Sequence, residues 1–428
     1  MVIDMDTAYK AECAKKASTV CAQLGGELKN KALSRIADAL KTDAQKIFDA
    51  NKKDLDAAEG LPAPIKKRLV FNQSKLDGCL DGIAQLISLP DPNGRELMQT
   101  LLDDGLLLKK VSCPIGVIGV VFEARPDALI QISTLCIKSG NCCLLKGGSE
   151  TAHTNKALFE VISAAIADAG IPEGAMQLLE SRDDVKEMLA LNKSIDLIIP
   201  RGSNAFVQYI IKNTSIPVLG HADGICHVYV DKYADPDMAV SVVNDSKTQY
   251  VSVCNAAETL LIHKDAASKI LPMIADKLRQ SSVTIYGCER TREIIDAEPA
   301  TEQDWKSEYL DYKISVRVVD SLDEAIEHIN KYGSGHTDAI ITSDADSAEK
   351  FLNSVDSANV YVNCSTRFAD GFRYGFGAEV GISTNKIHAR GPVGLDGLMI
   401  YKYKLYGSGQ IVADYAEGRS QFKHTKLD

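Results

Sequence analysis

The sequence lacks the features of membrane, secreted and nucleic-acid-binding proteins. None of its apolar runs approaches the length that crosses a bilayer. The segment Met1–Asp6 has neither the basic stretch nor the apolar core of a secretory signal. The net charge of −10 disfavours nucleic acids and membrane surfaces as partners, because both are polyanionic. We therefore expect a cytoplasmic protein with no nucleic-acid partner and no membrane partner.

Cysteine patterns typical of disulfide scaffolds and zinc sites are also missing. The eleven cysteines include no CxxC, and an odd count leaves at least one thiol unpaired. Such usage is typical of reduced thiols in the cytosol. His221, Cys226 and His227 superficially suggest a metal site, but Cys226 and His227 would point to opposite faces of a strand. We therefore interpret all three as structural and expect no metal.

The order of periodic segments predicts an α/β fold. Apolar positions at three- and four-residue spacing predict helices across 7–60 and 64–87, followed by a turn-rich break at 91–94. Strands are then predicted at 115–122, 142–146, 177–179 and 196–199, with helices at about 128–139, at 152–169 and after Gly202. A second alternating series begins at 226–230 and runs to about 362, with helices near 264–280 and 321–331. This rhythm indicates doubly wound parallel sheets, and 398–404 and 410–413 are predicted to be edge strands.

Cys254 is the cysteine whose neighbours favour chemistry. Small and polar residues surround it, and the apolar run Thr259–Ile262 that follows is predicted to be a buried strand that holds the sulfur rigidly. A thiolate attacks an activated carboxyl carbon better than a hydroxyl does, so this cysteine indicates acyl chemistry. Asn255 is placed to orient the carbonyl. A buried structural thiol is the alternative.

Two glycine-containing turns are candidates for cofactor binding. The ordinary GxGxxG fingerprint is absent. Instead, Leu144–Glu150 and Ile199–Ser203 each follow a strand and precede a helix. Glycine lets the backbone approach a ligand, Lys146 can meet a phosphate, and the first helical amides can meet an anion. The alternative is that both are plain strand-to-helix turns.

The chain resembles the aldehyde dehydrogenase superfamily. The motifs occur in that superfamily's order: Pro114–Gly119, Lys146–Glu150, Pro200–Ser203 and then Cys254 at the place of its nucleophile. More narrowly, the chain resembles the gamma-glutamyl phosphate reductase family over residues 7–413. The specific marks are Phe122–Pro126, Asp223–Asp231, Tyr361–Phe368, Gly377–Thr384 and His388–Pro392.

The resemblance implies an aldehyde dehydrogenase-like organisation. It implies two doubly wound α/β domains and a small β flap that joins subunits. Residues 1–100 and 114–222 are then the NADP-binding domain, 223–397 the catalytic domain, and 101–113 with 398–428 the oligomerisation segment. We expect at least a homodimer, since an exposed edge strand would otherwise invite aggregation.

The resemblance also implies a reaction, the second step of proline biosynthesis from glutamate. The Cys254 thiolate attacks L-glutamate 5-phosphate, phosphate leaves, and NADPH reduces the resulting thioester to L-glutamate 5-semialdehyde. Functional coupling with glutamate 5-kinase is a possible consequence. The expected cofactor-binding residues are Lys146, Gly147, Ser149, Glu150, Arg201, Gly202, Ser203 and Glu308. Lys146 would meet the 2′-phosphate and Glu308 the nicotinamide ribose, although a solvated surface carboxylate is the alternative for Glu308.

Two departures from the wider superfamily concern water and the oxyanion. Val218 stands where hydrolytic members have a water-activating glutamate, which suits a thioester that is reduced rather than hydrolysed. The asparagine that donates to the oxyanion is missing near Ala124, so the Cys254 amide is the remaining candidate donor.

Arg125, Arg367 and Arg390 are the candidate substrate-binding residues. Each lies in a segment with glycine, proline or serine, and guanidinium groups suit carboxylate and phosphate. Structural ion pairs are the alternative for each. Two rival functions remain at this stage: a general NAD(P)-dependent aldehyde dehydrogenase and a non-catalytic assembly protein on the same fold.

Overall fold

The computed structural model describes residues 6–60, 63–220 and 223–427, and for 63–65 it describes the backbone alone. Five helices come first in this part of the chain, as the spacing predicted. Their bounds are α1 Thr7–Cys21, α2 Gly26–Thr42, α3 Ala44–Ala57, α4 Ala63–Leu69 and α5 Gln73–Ser88. Asp6 and Asn72 cap α1 and α5, because each side chain accepts a backbone N–H of the first turn. The apolar face of α2, with Leu33, Ile36 and Leu40, is fully buried.

A β-hairpin follows the turn-rich break. Its strands are β1 Glu96–Asp103 and β2 Leu106–Pro114, paired antiparallel. Asp104 and Gly105 form the turn, and Gly105 has a positive φ of 69° that favours glycine.

The first parallel sheet lies between residues 117 and 212. Its elements are β3 Val117–Phe122, α6 Pro126–Ser139, β4 Cys142–Lys146, α7 Ala152–Ala169, β5 Met176–Leu179, α8 Arg182–Ala190, β6 Leu197–Arg201 and α9 Asn204–Lys212. The strand order is β5-β4-β3-β6, with every pair parallel. Each residue of β3 and β4 is buried, as expected when helices cover both faces.

The second parallel sheet occupies residues 226 to 362. Its elements are β7 Cys226–Val230, α10 Pro236–Thr248, β8 Ala257–His263, α11 Lys264–Gln280, β9 Thr284–Gly287, α12 Glu289–Arg292, β10 Glu298–Pro299, β11 Lys313–Val319, α13 Leu322–Tyr332, β12 Thr337–Ile341, α14 Ala345–Ser354 and β13 Asn359–Val362. The order β10-β9-β11-β8-β7-β12-β13 places β7 and β8 at the centre. Both central strands are buried along their whole length, so they hold the loops at their ends firmly.

The last part of the chain contains β14 Gly381–Ser383, β15 Gly391–Val393, β16 Met399–Tyr406, α15 Val412–Ala416 and β17 Thr425–Leu427. Strands β14 and β15 pair with each other in a sheet of their own. Short 3-10 turns lie at 149–151, 304–306, 366–368 and 395–398. Strands β16 and β17 flank the hairpin in the order β16-β2-β1-β17.

The predicted edge strand at 410–413 is wrong. The helix α15 begins there, and it brings Tyr415 onto the ring of Phe422 with centroids 4.2 Å apart and onto Asp103 through a 3.1 Å hydrogen bond. These contacts need a helical turn, and the apolar pair Ile411–Val412 that suggested a strand is exposed at 55% and 80%.

The architecture confirms the predicted α/β class with parallel sheets covered by helices. Within the part of the chain that the structure describes, no helix is long and apolar enough to cross a membrane. All eleven cysteines are free thiols. Five of them are only partly buried, namely Cys13, Cys113, Cys254, Cys288 and Cys364.

Candidate active site

Cys254 lies in a loop between helix α10 and the central strand β8. This nucleophile loop, residues 249–256, is closed by a hydrogen bond from the Ala256 amide to the Val253 carbonyl at 3.1 Å. The Cys254 side chain is half-buried. The loop therefore holds a sulfur that a small molecule can reach, anchored on a buried strand.

Gly224 packs directly beneath the Cys254 backbone. A Cβ at this glycine would lie 2.0 Å from the Cys254 carbonyl oxygen and 2.4 Å from its Cα. No side chain fits in that space, so the close approach requires glycine. The amide of Gly224 donates to Glu308 Oε1 at 2.9 Å, which places Glu308 beside the nucleophile. This contact disfavours the alternative of a merely solvated carboxylate.

A buried ion pair lies next to the nucleophile loop and the segment with Glu308. Lys247 Nζ and Glu258 Oε2 are 2.5 Å apart, and both side chains are fully buried. Burial raises the pKa of Glu258 to about 7, against the opposing effect of Lys247. Burial likewise lowers the pKa of Lys247, while Glu258 opposes that shift. Glu258 Oε1 also accepts the amide of Leu310 at 3.2 Å, so the pair ties the segment with Glu308 to the start of β8.

Asn255 anchors the loop. Its Nδ2 donates to the Ala369 carbonyl at 2.8 Å, and its backbone carbonyl accepts the Thr366 hydroxyl at 2.7 Å. Nδ2 carries a second N–H, so this contact leaves one donor for the predicted role of orienting the substrate carbonyl. Asn255 Oδ1 is buried without a hydrogen-bond partner.

Burial lowers the pKa values of two arginines, Arg367 and Arg201. Burial and then the nearby Arg373 lower the pKa of Arg367, whereas the Cys254 thiolate opposes the shift. Burial and then Arg125 lower the pKa of Arg201 to about 10, opposed by Glu379, Asp127 and the Cys254 thiolate. Arg367 is 8% exposed, and its Nε donates to Gln249 Oε1 at 3.0 Å. The site therefore combines a thiol with cations suited to an anionic substrate.

The other two predicted substrate arginines differ from each other. Arg125 donates to Asp127 at 3.2 Å, keeps 47% of its side chain exposed and interacts with Arg201. Arg390 donates to the carboxylate and to the carbonyl of Asp356, each at 3.1 Å. Arg390 therefore forms an ion pair through Nη1 and Nη2, while its Nε is buried without a hydrogen-bond partner.

The first glycine-containing turn, Lys146–Glu150, is called the Lys146 turn. Lys146 is buried, its Nζ donates to the Gly147 carbonyl, and burial lowers its pKa against the opposing effect of Glu150. Ser149 begins the 3-10 turn 149–151 that leads into α7. Glu150 Oε1 accepts the Ala124 amide at 2.6 Å, which links this turn to the segment before Arg125.

The second turn, Arg201–Ser203, is called the Arg201 turn. Ser203 N donates to Glu123 Oε2 at 3.1 Å, and the same oxygen lies 2.7 Å from where a Cβ of Gly202 would be. The protein's own carboxylate therefore takes the amide of Ser203, the residue before α9. The helix begins at Asn204, and its first amides stay candidates for the predicted contact with a cofactor anion.

Sequence reasoning missed the contacts that four residues make in the site. Glu123 accepts the Ser203 amide, Lys247 and Glu258 form the buried pair, and the Cys226 thiol donates to the Cys254 carbonyl at 3.2 Å. For Lys247 and Glu258 the only signal in the sequence is that they flank the loop with Cys254.

His221, Cys226 and His227 were considered as a metal site in the sequence. His227 Nδ1 bonds Asp338 at 2.8 Å, away from the Cys226 thiol, and His221 lies outside the described residues. Among residues 6–60, 63–220 and 223–427, no group of three or more His, Cys, Asp or Glu side chains is arranged to hold a metal ion.

Comparisons with known proteins cover nearly the whole chain. The aldehyde dehydrogenase family model matches residues 3–287 and 313–380. The gamma-glutamyl phosphate reductase of Acetivibrio thermocellus is 60% identical over 416 residues, which are 97% of this chain and 96% of the relative. That of Pelotomaculum thermopropionicum is 59% identical over 426 residues, covering 99% and 98%. The crystal structure of the gamma-glutamyl phosphate reductase of Thermotoga maritima has a TM-score of 0.93 at 41% identity, and the match covers 95% of this chain and 100% of that one.

Proposed function

Because the chain belongs to the aldehyde dehydrogenase family and, within it, to the gamma-glutamyl phosphate reductases, we propose that it reduces L-glutamate 5-phosphate to L-glutamate 5-semialdehyde. The reaction releases phosphate and is the second step of proline biosynthesis from glutamate. The observation that supports it best is a half-buried thiol, Cys254, on a loop that packs against Gly224 and leads into the buried strand β8. An acyl phosphate of an amino acid is an anion with a carbon that a thiolate attacks.

The proposed reaction passes through a thioester on Cys254. The Cys254 sulfur bonds to the acyl carbon, the bond from that carbon to the phosphate oxygen breaks, and inorganic phosphate leaves with the electron pair. NADPH, when bound, supplies the hydride that reduces the thioester. The C–S bond of the resulting thiohemiacetal then breaks, the semialdehyde is released, and Cys254 regains its thiolate. The Cys254 amide is the proposed donor to the oxyanion that forms at each addition.

Val218 accounts for the choice of reduction over hydrolysis. A valine has no proton-accepting group, so water beside the thioester gains no general base there. Its carbonyl accepts Asn385 Nδ2 at 2.7 Å, which fixes the backbone at this point.

The Lys146 turn fits an anionic part of the cofactor. Lys146 is buried, and its ammonium group carries three hydrogen-bond donors. Arg182 adds a second positive charge, which lowers the pKa of Lys146 further. Asn155, which lies on α7, has a buried Oδ1 with no hydrogen-bond partner. These groups suit the ribose and 2′-phosphate of NADPH. Glu150 and Glu308 are the proposed partners of the two ribose rings.

The proposed organisation follows from these assignments. Residues 1–100 and 114–222 form the NADP-binding domain, 223–397 the catalytic domain, and 101–113 with 398–428 the oligomerisation segment. Family members are commonly oligomeric and act on small molecules. We propose a homo-oligomer of at least two chains. We also propose that the enzyme is functionally coupled to glutamate 5-kinase.

The test is a spectrophotometric assay in the reverse direction. L-Glutamate 5-semialdehyde, inorganic phosphate and NADP are mixed, and reduced cofactor is followed. We expect turnover that requires phosphate, lost in Cys254→Ser and retained in Cys288→Ser, a control at another half-buried thiol. Phosphate-independent turnover would instead indicate a general aldehyde dehydrogenase. Full activity of Cys254→Ser would contradict the assigned nucleophile.

A further inference from the structure

The guanidinium of Arg201 points into the interior without a full set of partners. Arg201 ends β6, and its Nη1 is shut off from solvent with no hydrogen-bond partner. A buried unpaired donor costs about 1–3 kcal/mol, and more when it is charged. A ligand or an ordered water molecule can supply the missing acceptor.

The Arg201 turn is tied mechanically to the nucleophile loop. Asn204, the first residue of α9, donates from its side chain to the carboxylate of Asp223. The next residue after Asp223 is Gly224, which packs against the Cys254 backbone. On another side, a Cβ at Gly381 would lie 3.9 Å from Arg201 Nε. Arg201 therefore lies in a segment that is hydrogen-bonded, through Asn204, to the residue before the glycine that packs against Cys254.

The charges around Arg201 leave room for an added anion. Arg125 interacts with it repulsively, and Glu379 and Asp127 interact attractively. Asp127 already meets Arg125 at 3.2 Å and Lys75 at 3.7 Å, and Glu379 accepts the Gly371 amide at 2.8 Å. The nearby carboxylates are thus engaged elsewhere, while two guanidinium groups lie close together. A dianion between them would relieve their repulsion.

Arg367 and Arg201 differ in the hydrogen-bond donors that they leave open. Arg367 Nε already donates to Gln249 Oε1 at 3.0 Å, whereas Arg201 Nη1 is buried without a partner. Arg201 has Arg125 beside it, which matches a doubly charged phosphate. The phosphate is also the group bonded to the carbon that the sulfur attacks.

We propose that Arg201 binds the phosphoryl group of the acyl phosphate and stabilises the phosphate that departs when the Cys254 sulfur bonds to the acyl carbon. This assignment rests on the proposed function and moves Arg201 from the cofactor to the substrate. The hydrogen bond from Ser203 N to Glu123 supports the move, because this amide of the turn already has a carboxylate partner.

The experiment measures three Michaelis constants in the reverse assay, for phosphate, NADP and semialdehyde. Arg201→Ala is expected to raise the KM for phosphate at least tenfold and to leave the KM for NADP within twofold. Arg201→Lys keeps one charge and is expected to give an intermediate KM for phosphate. Arg35→Ala, which removes a surface guanidinium paired with Asp168, is the matched control and is expected to change none of the three.

The outcomes separate the inference from the proposed function. Wild-type enzyme without phosphate-dependent turnover contradicts the proposed function itself. Active wild type together with an unchanged KM for phosphate in Arg201→Ala overturns the inference, and a selective rise in the KM for NADP returns Arg201 to the cofactor. If Arg201→Ala does not fold, Arg201→Lys decides, and an unchanged KM for phosphate in that variant overturns the assignment equally.

Discussion

The thiol of Cys226 donates a hydrogen bond to the backbone carbonyl of Cys254, with sulfur and oxygen 3.2 Å apart. Cys226 is fully buried, and burial raises the pKa of this thiol well above its usual range. It therefore keeps its proton at neutral pH and remains a donor. One cysteine thus supports the backbone of the other and does not compete with it as a nucleophile.

Removing the Cys226 donor is expected to slow the reaction without weakening substrate binding. A hydrogen bond of this kind contributes about 1 kcal/mol, so Cys226→Ala should lower kcat about fivefold. Cys226→Ser keeps a donor and should stay within twofold of wild type. Steady-state kinetics distinguish the two variants, and equal losses in both would contradict a role for the hydrogen bond.

Adding a methyl group at Gly224 is expected to lower the turnover rate about a hundredfold. The new Cβ would lie 2.0 Å from the Cys254 carbonyl oxygen, so the nucleophile loop must move. A displaced nucleophile loses about a hundredfold in rate. Gly82→Ala in α5 is the matched control, because no atom lies within 4 Å of its added Cβ. Wild-type turnover in Gly224→Ala would show that the close contact is dispensable.

Breaking the buried Lys247–Glu258 pair is expected to destabilise the fold strongly. Lys247→Met leaves a buried carboxylate unpaired, at a cost of about 3–5 kcal/mol. The double variant Lys247→Met with Glu258→Leu removes both charges and should recover a large part of the loss. Unfolding in urea measures the free energies. A double variant as unstable as the single one would indicate that packing, and not charge, explains the effect.

Acid is expected to destabilise the protein through His328. Burial, and then the neighbouring His227, lower the pKa of His328 to about 2, so the folded protein leaves this imidazole neutral. The unfolded chain takes up a proton near pH 6.5, hence stability is lost as the pH falls below that value, by about 1.4 kcal/mol per pH unit from this group.

The comparison with His328→Gln isolates that contribution. Glutamine does not titrate and can still accept from Arg317, whose Nη1 lies 3.2 Å from His328 Nδ1. As the pH falls over about two units below 6.5, the free energy of unfolding of the wild type should therefore decrease more than that of the variant. Parallel stability curves over that range would contradict the prediction. The ring of Trp305 packs edge-on against His328 at 5.5 Å, which connects this test to the segment with Glu308.

The exposed edge strand β16 is expected to join subunits. Tyr403 and Leu405 are 58% and 57% exposed at one end of the antiparallel sheet. Leu405→Glu should lower the mass measured by light scattering to that of a smaller assembly. Met273→Glu, at a partly exposed position on α11, is the control. A monomeric wild type would contradict the expected dimer.

The sequence predicted those elements whose signal is local. The strands 142–146 and 226–230 and the helices 152–169 and 264–280 lie where periodicity and glycine placed them. The strand predicted at 410–413 was wrong because the local structure depends on the contact of Tyr415 with Asp103, more than three hundred residues away in the sequence.

Site residues that depend on side-chain pairing were harder to predict. Lys247 and Glu258 look like ordinary surface charges in the sequence, and only the packing of α10 against β8 buries them as a pair. The Arg201 turn was predicted to hold the cofactor because its backbone pattern allows it. The carboxylate of Glu123, which closes that amide, comes from the neighbouring strand end and leaves no trace in the local sequence.

The five partly buried thiols decide how the covalent intermediate must be observed. An alkylating reagent added to the intact protein would react with sulfurs besides Cys254, since Cys13, Cys113, Cys288 and Cys364 are also partly accessible. A stoichiometry of label per chain would therefore not report on the nucleophile. Only a proteolytic peptide that contains Cys254, isolated with and without substrate, gives an occupancy for that sulfur.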